Sequence, residues 1–108
     1  MLHSCGYIFD ILDDIKEIGF DSIWPQMVLF DDIALSNKCQ ELDLALAMHL
    51  DRAKLMSNGT PDDIRAAVNR AVEVFKPQKG GSWFYVEVDA GFPFENIEAL
   101  VTSIAAYR

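Results

Sequence analysis

The sequence predicts an α/β domain built from four βα units with parallel strands. Short runs of β-type residues alternate with helical patterns along the whole chain. Such alternation is typical of parallel sheets whose strands are joined by right-handed helical crossovers. The length of 108 residues allows a single domain over residues 1–108. The apolar share of 51% supports a folded core and excludes a disordered chain.

The first two units are short. Residues 2–5 are expected to form a strand, and the helix that follows has Asp10 as its expected N-cap. Gly19 stands in the position typical of a glycine after the last helical turn. A second strand is expected over 22–24, directly before a proline, and a weaker helix over 31–39.

The last two units carry stronger signals. Residues 44–50 predict the third strand, and Thr60 with Pro61 predicts the start of a helix. Residues 82–88 predict the fourth strand, because they are rich in aromatic and β-branched side chains. Pro93 precedes the last amphipathic helix. The side chains of these two helices expected to face the core are Ile64, Val68, Ala71, Val72, Phe75, Ile97, Leu100, Val101 and Ile104.

Charge and composition exclude several classes of partner. The 17 acidic residues outnumber the 9 basic ones, giving a net charge of −8, so no basic surface is expected for nucleic acid or an anionic membrane. No apolar run approaches the length of a membrane span. The first residues show no secretory signal, so Cys5 and Cys39 are expected to be reduced thiols of a cytoplasmic protein.

Polar side chains are expected to collect where the strands end. In parallel α/β folds, ligands bind at the carboxyl ends of the strands. Residues two apart on a strand share a face, so each predicted strand end would present a pair of side chains together. These pairs are His3 with Cys5, Trp24 with Gln26, His49 with Asp51, and Glu87 with Asp89.

Two kinds of chemistry fit these residue types. Imidazole and thiolate groups bind zinc, so His3 and Cys5 are candidate metal ligands, and a carboxylate can complete the site. Acid–base catalysis by paired polar groups is the alternative. His49 with Asp51, or Glu87 with Asp89, could serve in that role, and the candidates for substrate contact are Trp24, Gln26, Trp83 and Tyr85.

Each candidate also has a purely structural interpretation. Cys5 can be a small buried side chain, and His49 a hydrogen-bonded core residue. Asp51 can cap the following turn or pair with Arg52, and Glu87 can simply be solvated. Cys39 is expected to be structural.

An ordered set of short segments runs through the chain at residues 3–6, 17–21, Pro25-Gln26, 49–52, Leu55-Met56, 59–63, Gly80-Gly81 and 93–100. In this order and at near-family spacing, these segments resemble the uroporphyrinogen decarboxylase-like superfamily. The resemblance covers essentially the whole chain. The superfamily contains uroporphyrinogen decarboxylases and cobalamin-dependent enzymes that methylate thiols.

The resemblance implies that the chain is the C-terminal half of a (β/α)₈, or TIM, barrel. In the methyltransferase branch an H-x-C pair and a later cysteine hold zinc, and a corrinoid is the methyl donor. His3 and Cys5 match the pair, but the later cysteine is absent, so Glu87 is the preferred substitute and Asp89 the second. The decarboxylase branch relies on an N-terminal segment that this chain lacks.

Three functions remain open on the sequence. The chain can belong to a methyltransferase-like barrel, with His49 and Asp51 orienting substrate. It can be an inactive half-barrel that pairs with a second copy, as a homodimer, or with a complementary N-terminal half. It can also be a module that binds a tetrapyrrole or another small molecule.

Overall fold

In the computed structural model, which describes residues 1–107, four parallel strands form one sheet in the order β1-β2-β3-β4. The strands are β1 Leu2–Ser4, β2 Ser22–Pro25, β3 Ala45–Met48 and β4 Ser82–Phe84. The α-helices are α1 Leu12–Glu17, α2 Asp32–Leu42, α3 Pro61–Phe75 and α4 Phe94–Ala105. Short 3₁₀ turns cover Phe9–Ile11, Met27–Leu29 and Pro77–Lys79, and a π-helical turn covers Arg52–Met56. The four predicted βα units are confirmed.

The strand order places all helices on one side of the sheet. Each strand pairs with the next one along the chain, in parallel. Parallel connections of this kind are right-handed, so a sheet that never reverses its order keeps every crossover helix on the same face. The opposite face is therefore left without a helical layer.

Side-chain alternation follows this one-sided arrangement. Ile23, Leu46 and Met48 point toward the helices and belong to the main buried cluster. Their strand neighbours His3 and Trp24, which are paired in register, lie on the opposite face and are more exposed. The sheet is therefore buried on one side and accessible to ligands on the other.

The core has two parts. The larger cluster packs α1 and α2 against the first three strands, with Leu12 and Leu35 fully buried in it. The second cluster lies between α3 and α4, around Ile64 and Val68. Among the core positions expected in α3 and α4, Val101 is 49% exposed, contrary to prediction, and Ile97 belongs to neither cluster. Asn96 and Ala99 are the buried residues of α4 instead, along with Leu100.

Local sequence signals fix most helix starts. The Thr60 hydroxyl accepts a hydrogen bond from the Asp63 amide, and the Asp63 carboxylate accepts one from the Thr60 amide, which forms a complete capping box. Asp31 caps α2 through the amide of Ala34. Asp10 does not cap α1 as predicted, because it lies inside a 3₁₀ turn that precedes that helix.

The fourth strand is shorter than predicted. It ends at Phe84, and the amide of Tyr85 makes a last hydrogen bond to the carbonyl of Met48. Glu87 and Asp89 therefore lie in an irregular segment rather than at the end of a strand. Within residues 1–107 no helix is both long and apolar enough to cross a membrane.

Removing the capping box should weaken the domain measurably. We expect Thr60→Ala to lower the free energy of unfolding by about 1 kcal/mol, because the amide of Asp63 loses the hydroxyl that caps it. Urea denaturation checks this. Thr102→Ala is the matched control: it lies inside α4 and bonds only to carbonyls of its own helix, so it should change stability by less than about 0.5 kcal/mol. Equal losses in both variants would contradict the capping role.

Candidate functional site

A cleft of about 530 Å³ opens at the carboxyl ends of the strands. It lies where the sequence predicted a ligand site, and every strand contributes to it directly or through the segment that follows. Its lining consists of His3, Cys5, Trp24, Gln26, Val28, His49, Asp51, Arg52, Ala53 and Glu87. Its volume is within the range of pockets that hold small molecules.

His3 and Cys5 form a pair at one side of the cleft. His3 Nδ1 donates to the carbonyl oxygen of Trp24 at 2.8 Å, which leaves Nε2 as an acceptor. That nitrogen lies 3.9 Å from the sulfur of Cys5. The backbone contact orients the imidazole, in the way that an outer partner orients a metal-binding histidine.

Aromatic rings cover the centre of the accessible sheet face. The ring centroid of Trp24 lies 4.0 Å from that of His3 and 4.2 Å from that of Tyr85. Trp24 also meets the ring of His49 edge-on at 6.3 Å. These contacts place a large aromatic surface beside the polar groups of the cleft.

His49 is held in a neutral form. The indole nitrogen Nε1 of Trp24 donates to Nδ1 of His49 at 3.3 Å, so Nδ1 must be unprotonated. Burial lowers the pKa of His49 below its ordinary value of 6.5, since the cleft wall disfavours the charged imidazolium. The negative charge of Glu87 opposes this effect, whereas Arg52 adds to it.

Arg52 organises the acidic residues of the site. Its Nη1 atom lies 2.7 Å from Glu87 Oε1 and 3.6 Å from Asp89 Oδ2. The carboxylate of Asp51 is used differently: it accepts hydrogen bonds from the amides of Ala53 and Lys54 and so caps the π-helical turn. Asp51 therefore acts here as a structural cap, one of the alternatives that the sequence left open.

The structure brings most of the predicted site residues together. Seven line the cleft: His3, Cys5, Trp24, Gln26, His49, Asp51 and Glu87. Tyr85 and Asp89 reach it through their contacts with Trp24 and Arg52. Trp83 is not among the lining residues.

Sequence reasoning overlooked the role of Arg52. The only signal in the sequence was the position of Arg52 directly after the His49–Asp51 pair. That position predicted Arg52 only as a possible partner of Asp51. The approach of Glu87 to this arginine depends on how residues 85–89 fold after β4, and no local pattern reports that.

The four candidate ligands do not assemble into a zinc site in this arrangement. Among residues 1–107 no three or more His, Cys, Asp or Glu side chains are grouped closely enough to hold a metal ion. His3 and Cys5 are near each other, but Glu87 and Asp89 are engaged by Arg52. Two donors are thus placed together and the third is missing.

Cys39 lies in the core, as expected for a structural cysteine. It is 6% exposed, and burial raises the pKa of its thiol to about 11. It therefore stays protonated at neutral pH. Cys5 is the exposed free thiol of the two cysteines.

A second cavity lies at the amino ends of the strands, with about 550 Å³. Lys16 and Asp21 form an ion pair at 3.5 Å on its wall, and Lys16 also donates to the carbonyl of Asp43. Its charged groups are thus of both signs. In parallel α/β folds this end of the sheet serves stability rather than catalysis.

Comparisons with known proteins identify no relative: no family model, no curated protein and no solved structure matches the chain.

The neutral state of His49 predicts how the free energy of unfolding depends on pH. Because its folded pKa lies below 6.5, the unfolded chain binds this proton more readily. The resulting stability is present above about pH 6.5 and is lost as the pH falls through the folded pKa. We expect His49→Gln, which keeps an acceptor for Trp24, to flatten this part of the profile in urea denaturation.

The matched control leaves both imidazoles in place. Arg65→Gln removes an exposed ion pair with Asp62 on α3 and should keep the slope of the wild-type profile between neutral and mildly acidic pH. An unchanged slope in His49→Gln would show that the burial of this residue does not control the dependence.

Proposed function

We propose that this chain is one half of a (β/α)₈ barrel of the uroporphyrinogen decarboxylase-like type, and that the strand-end cleft is its ligand site. The sequential strand order with one-sided helices supports the half-barrel, because this is the arrangement that a singly wound barrel repeats. The free thiols of Cys5 and Cys39 are compatible with a reducing cytoplasm as its location.

The observation that carries the ligand assignment is the convergence of strand-end side chains on one cleft. Trp24, stacked between His3 and Tyr85, offers an aromatic surface to a flat molecule. Arg52 lines the same cleft, and a carboxylate of the ligand could bind it by replacing Glu87 in the ion pair. This combination favours a planar ligand with acidic substituents, and a tetrapyrrole has that chemistry.

His49 is the group suited to contact the bound molecule. Since Nδ1 accepts from Trp24, the neutral ring carries its proton on Nε2 and can donate it in a hydrogen bond. Asp51 supports the site indirectly, because its cap holds the turn that begins with Arg52. The π-helical form of that turn is common at functional sites.

The chain provides its own reporters for ligand binding. Trp83→Phe leaves Trp24 as the sole tryptophan, and we expect cobalamin or a water-soluble porphyrin to quench its fluorescence strongly. Trp24→Phe is the matched control, in which Trp83 outside the cleft reports and quenching should be weak. Trp24→Leu should weaken binding roughly 2- to 12-fold, the equivalent of about 0.5–1.5 kcal/mol of aromatic contact.

Two results would contradict this assignment. One is the absence of any quenching by either ligand. The other is equal quenching in the two single-tryptophan variants, since that would place the ligand away from Trp24.

Methyl transfer to a thiol is a second candidate, favoured by the geometry of His3 and Cys5. Their nitrogen and sulfur, 3.9 Å apart, could bind one metal ion together. Zinc bound there would activate an acceptor thiol, and a corrinoid would supply the methyl group. Glu87 can complete the ligand set only after Arg52 releases it, because the ion pair now holds that carboxylate.

Releasing Glu87 should therefore strengthen zinc binding. The side chains of Arg52 and Glu87 are 47% and 31% exposed. Their ion pair is therefore weak, and it competes only modestly with zinc for the Glu87 carboxylate. We expect Arg52→Gln to raise zinc affinity by at most about fivefold, the equivalent of about 1 kcal/mol. Competition with a chromophoric chelator measures the change.

The control also replaces an arginine with glutamine, but at a position that does not line the cleft. Arg65→Gln removes an exposed ion pair with Asp62 on α3 and should leave zinc affinity unchanged. Zinc binding that persists in both His3→Ala and Cys5→Ala would exclude this metal site.

A further inference from the structure

The sheet has two open edges that are uncharged. β1 and β4 each pair on one side only, and both have three residues. Residues 2–5 and 82–86 contain no Asp, Glu, Lys or Arg, although the chain as a whole has 26 such residues. Proteins commonly protect exposed edge strands with charges, prolines, bulges or very short strands. These two edges are short but carry neither charge nor proline, so their backbone groups remain open to pairing with another strand.

Backbone groups are available at the β4 edge. The carbonyl of Gly81 and the amide of Tyr85 both bond to β3. Alternate residues of a parallel strand bond to opposite neighbours, so the amides and carbonyls of Ser82 and Phe84 point away from β3. They are positioned to form a ladder with one more parallel strand.

The face without helices is also aromatic. Trp83 is 40% exposed and Tyr85 is 37% exposed, and both lie on the side of the sheet that the helices leave open. Side-chain alternation places Trp83 there, because the next residue, Phe84, pairs with Met48 of the main buried cluster and so points toward the helices. An exposed strip of this kind beside an open edge marks an interaction surface.

We propose that a second copy of this chain covers this face, with β1 of each copy pairing in parallel with β4 of the other around a two-fold axis. The arrangement closes eight strands into a barrel and leaves no edge. It rests on the half-barrel proposed above. A second copy is the occupant that fits best, because the β1 edge of each copy can pair with the β4 edge of the other, so that both open edges are closed.

Closure would bring two clefts into one mouth. All strands would keep the same direction, so both sets of carboxyl ends would meet at the same end of the barrel. His3 and Cys5 of one copy would then lie beside the β4 end of the other. The net charge of −8 per copy opposes association, so added salt should strengthen the dimer.

Disulfide trapping tests the strand pairing. Within one chain, β1 and β4 are separated by two strands, which is about 14 Å and too far for a disulfide. Between copies they would be neighbours, and Cys5 shares the open face with Trp83 and Tyr85. We therefore expect mild oxidation of Trp83→Cys or Tyr85→Cys to give a covalent dimer linked through Cys5, identified by peptide mapping.

Two controls define the contact. Adding Cys5→Ala should abolish the Cys5-linked product. Ile33→Cys places a thiol on the exposed outer surface of α2 and should give no dimer above background. Equal cross-linking in Ile33→Cys, or none in both open-face variants, would overturn the proposal.

Light scattering on the unmodified full chain gives an independent result. We expect a mass of twice 12.1 kDa at micromolar concentration. A monomer at 100 micromolar, or a mass that grows with concentration beyond two copies, would overturn the closed dimer. If the chain is a monomer and cobalamin or the porphyrin still quenches the fluorescence of Trp24, the closed dimer is wrong. The proposed ligand site in the cleft would not be contradicted by that result.

Discussion

The sequential order of four parallel strands is the constraint on which the rest of this structure depends. Right-handed crossovers in a sheet that never reverses direction place every helix on one face. Ile23, Leu46 and Met48 are buried by those helices, while His3 and Trp24 on the other face are not. The carboxyl ends of the strands meet at one edge of the sheet, so the polar side chains that follow them converge on one cleft. The fold therefore produces the candidate site and the uncovered face together.

Within the cleft, one arginine controls how the acidic groups can act. Arg52 holds Glu87 and lies near Asp89, so neither carboxylate is free to join His3 and Cys5. Its charge also adds to the burial that keeps His49 neutral. The ion pair withholds these carboxylates from a metal ion, whereas the aromatic rings of the cleft remain in place for an organic ligand. Ligand binding is therefore the first function proposed, and metal-dependent chemistry is the second.

Features set by local chemistry could be predicted from the sequence, and features set by distant contacts could not. Thr60 and Asp63 predict the start of α3, because a capping box involves only four neighbouring residues. The end of β4 at Phe84 is different, since strand length depends on the partner strand, and β3 ends at Met48. The pairing of Arg52 with Glu87 joins residues far apart in sequence, and no pattern around either residue reports it. Val101 shows the same limit: its spacing suits a buried position, but α4 packs on α3 through Ala99 and Leu100 instead, while Asn96 bonds to the carbonyls of Met56 and Gly59.

The distribution of charge connects the open face with the cleft. Acidic residues outnumber basic ones by 17 to 9, yet the segments 2–5 and 82–86 have none of either sign. The inner strands Ser22–Pro25 and Ala45–Met48 are uncharged as well, so the two edge strands resemble the strands that lie inside the sheet. The first of the two segments contains His3 and Cys5, and the second leads directly into Glu87 at the cleft. A partner strand added at either edge would therefore also change the walls of the ligand site, so association and ligand binding should be coupled in this molecule.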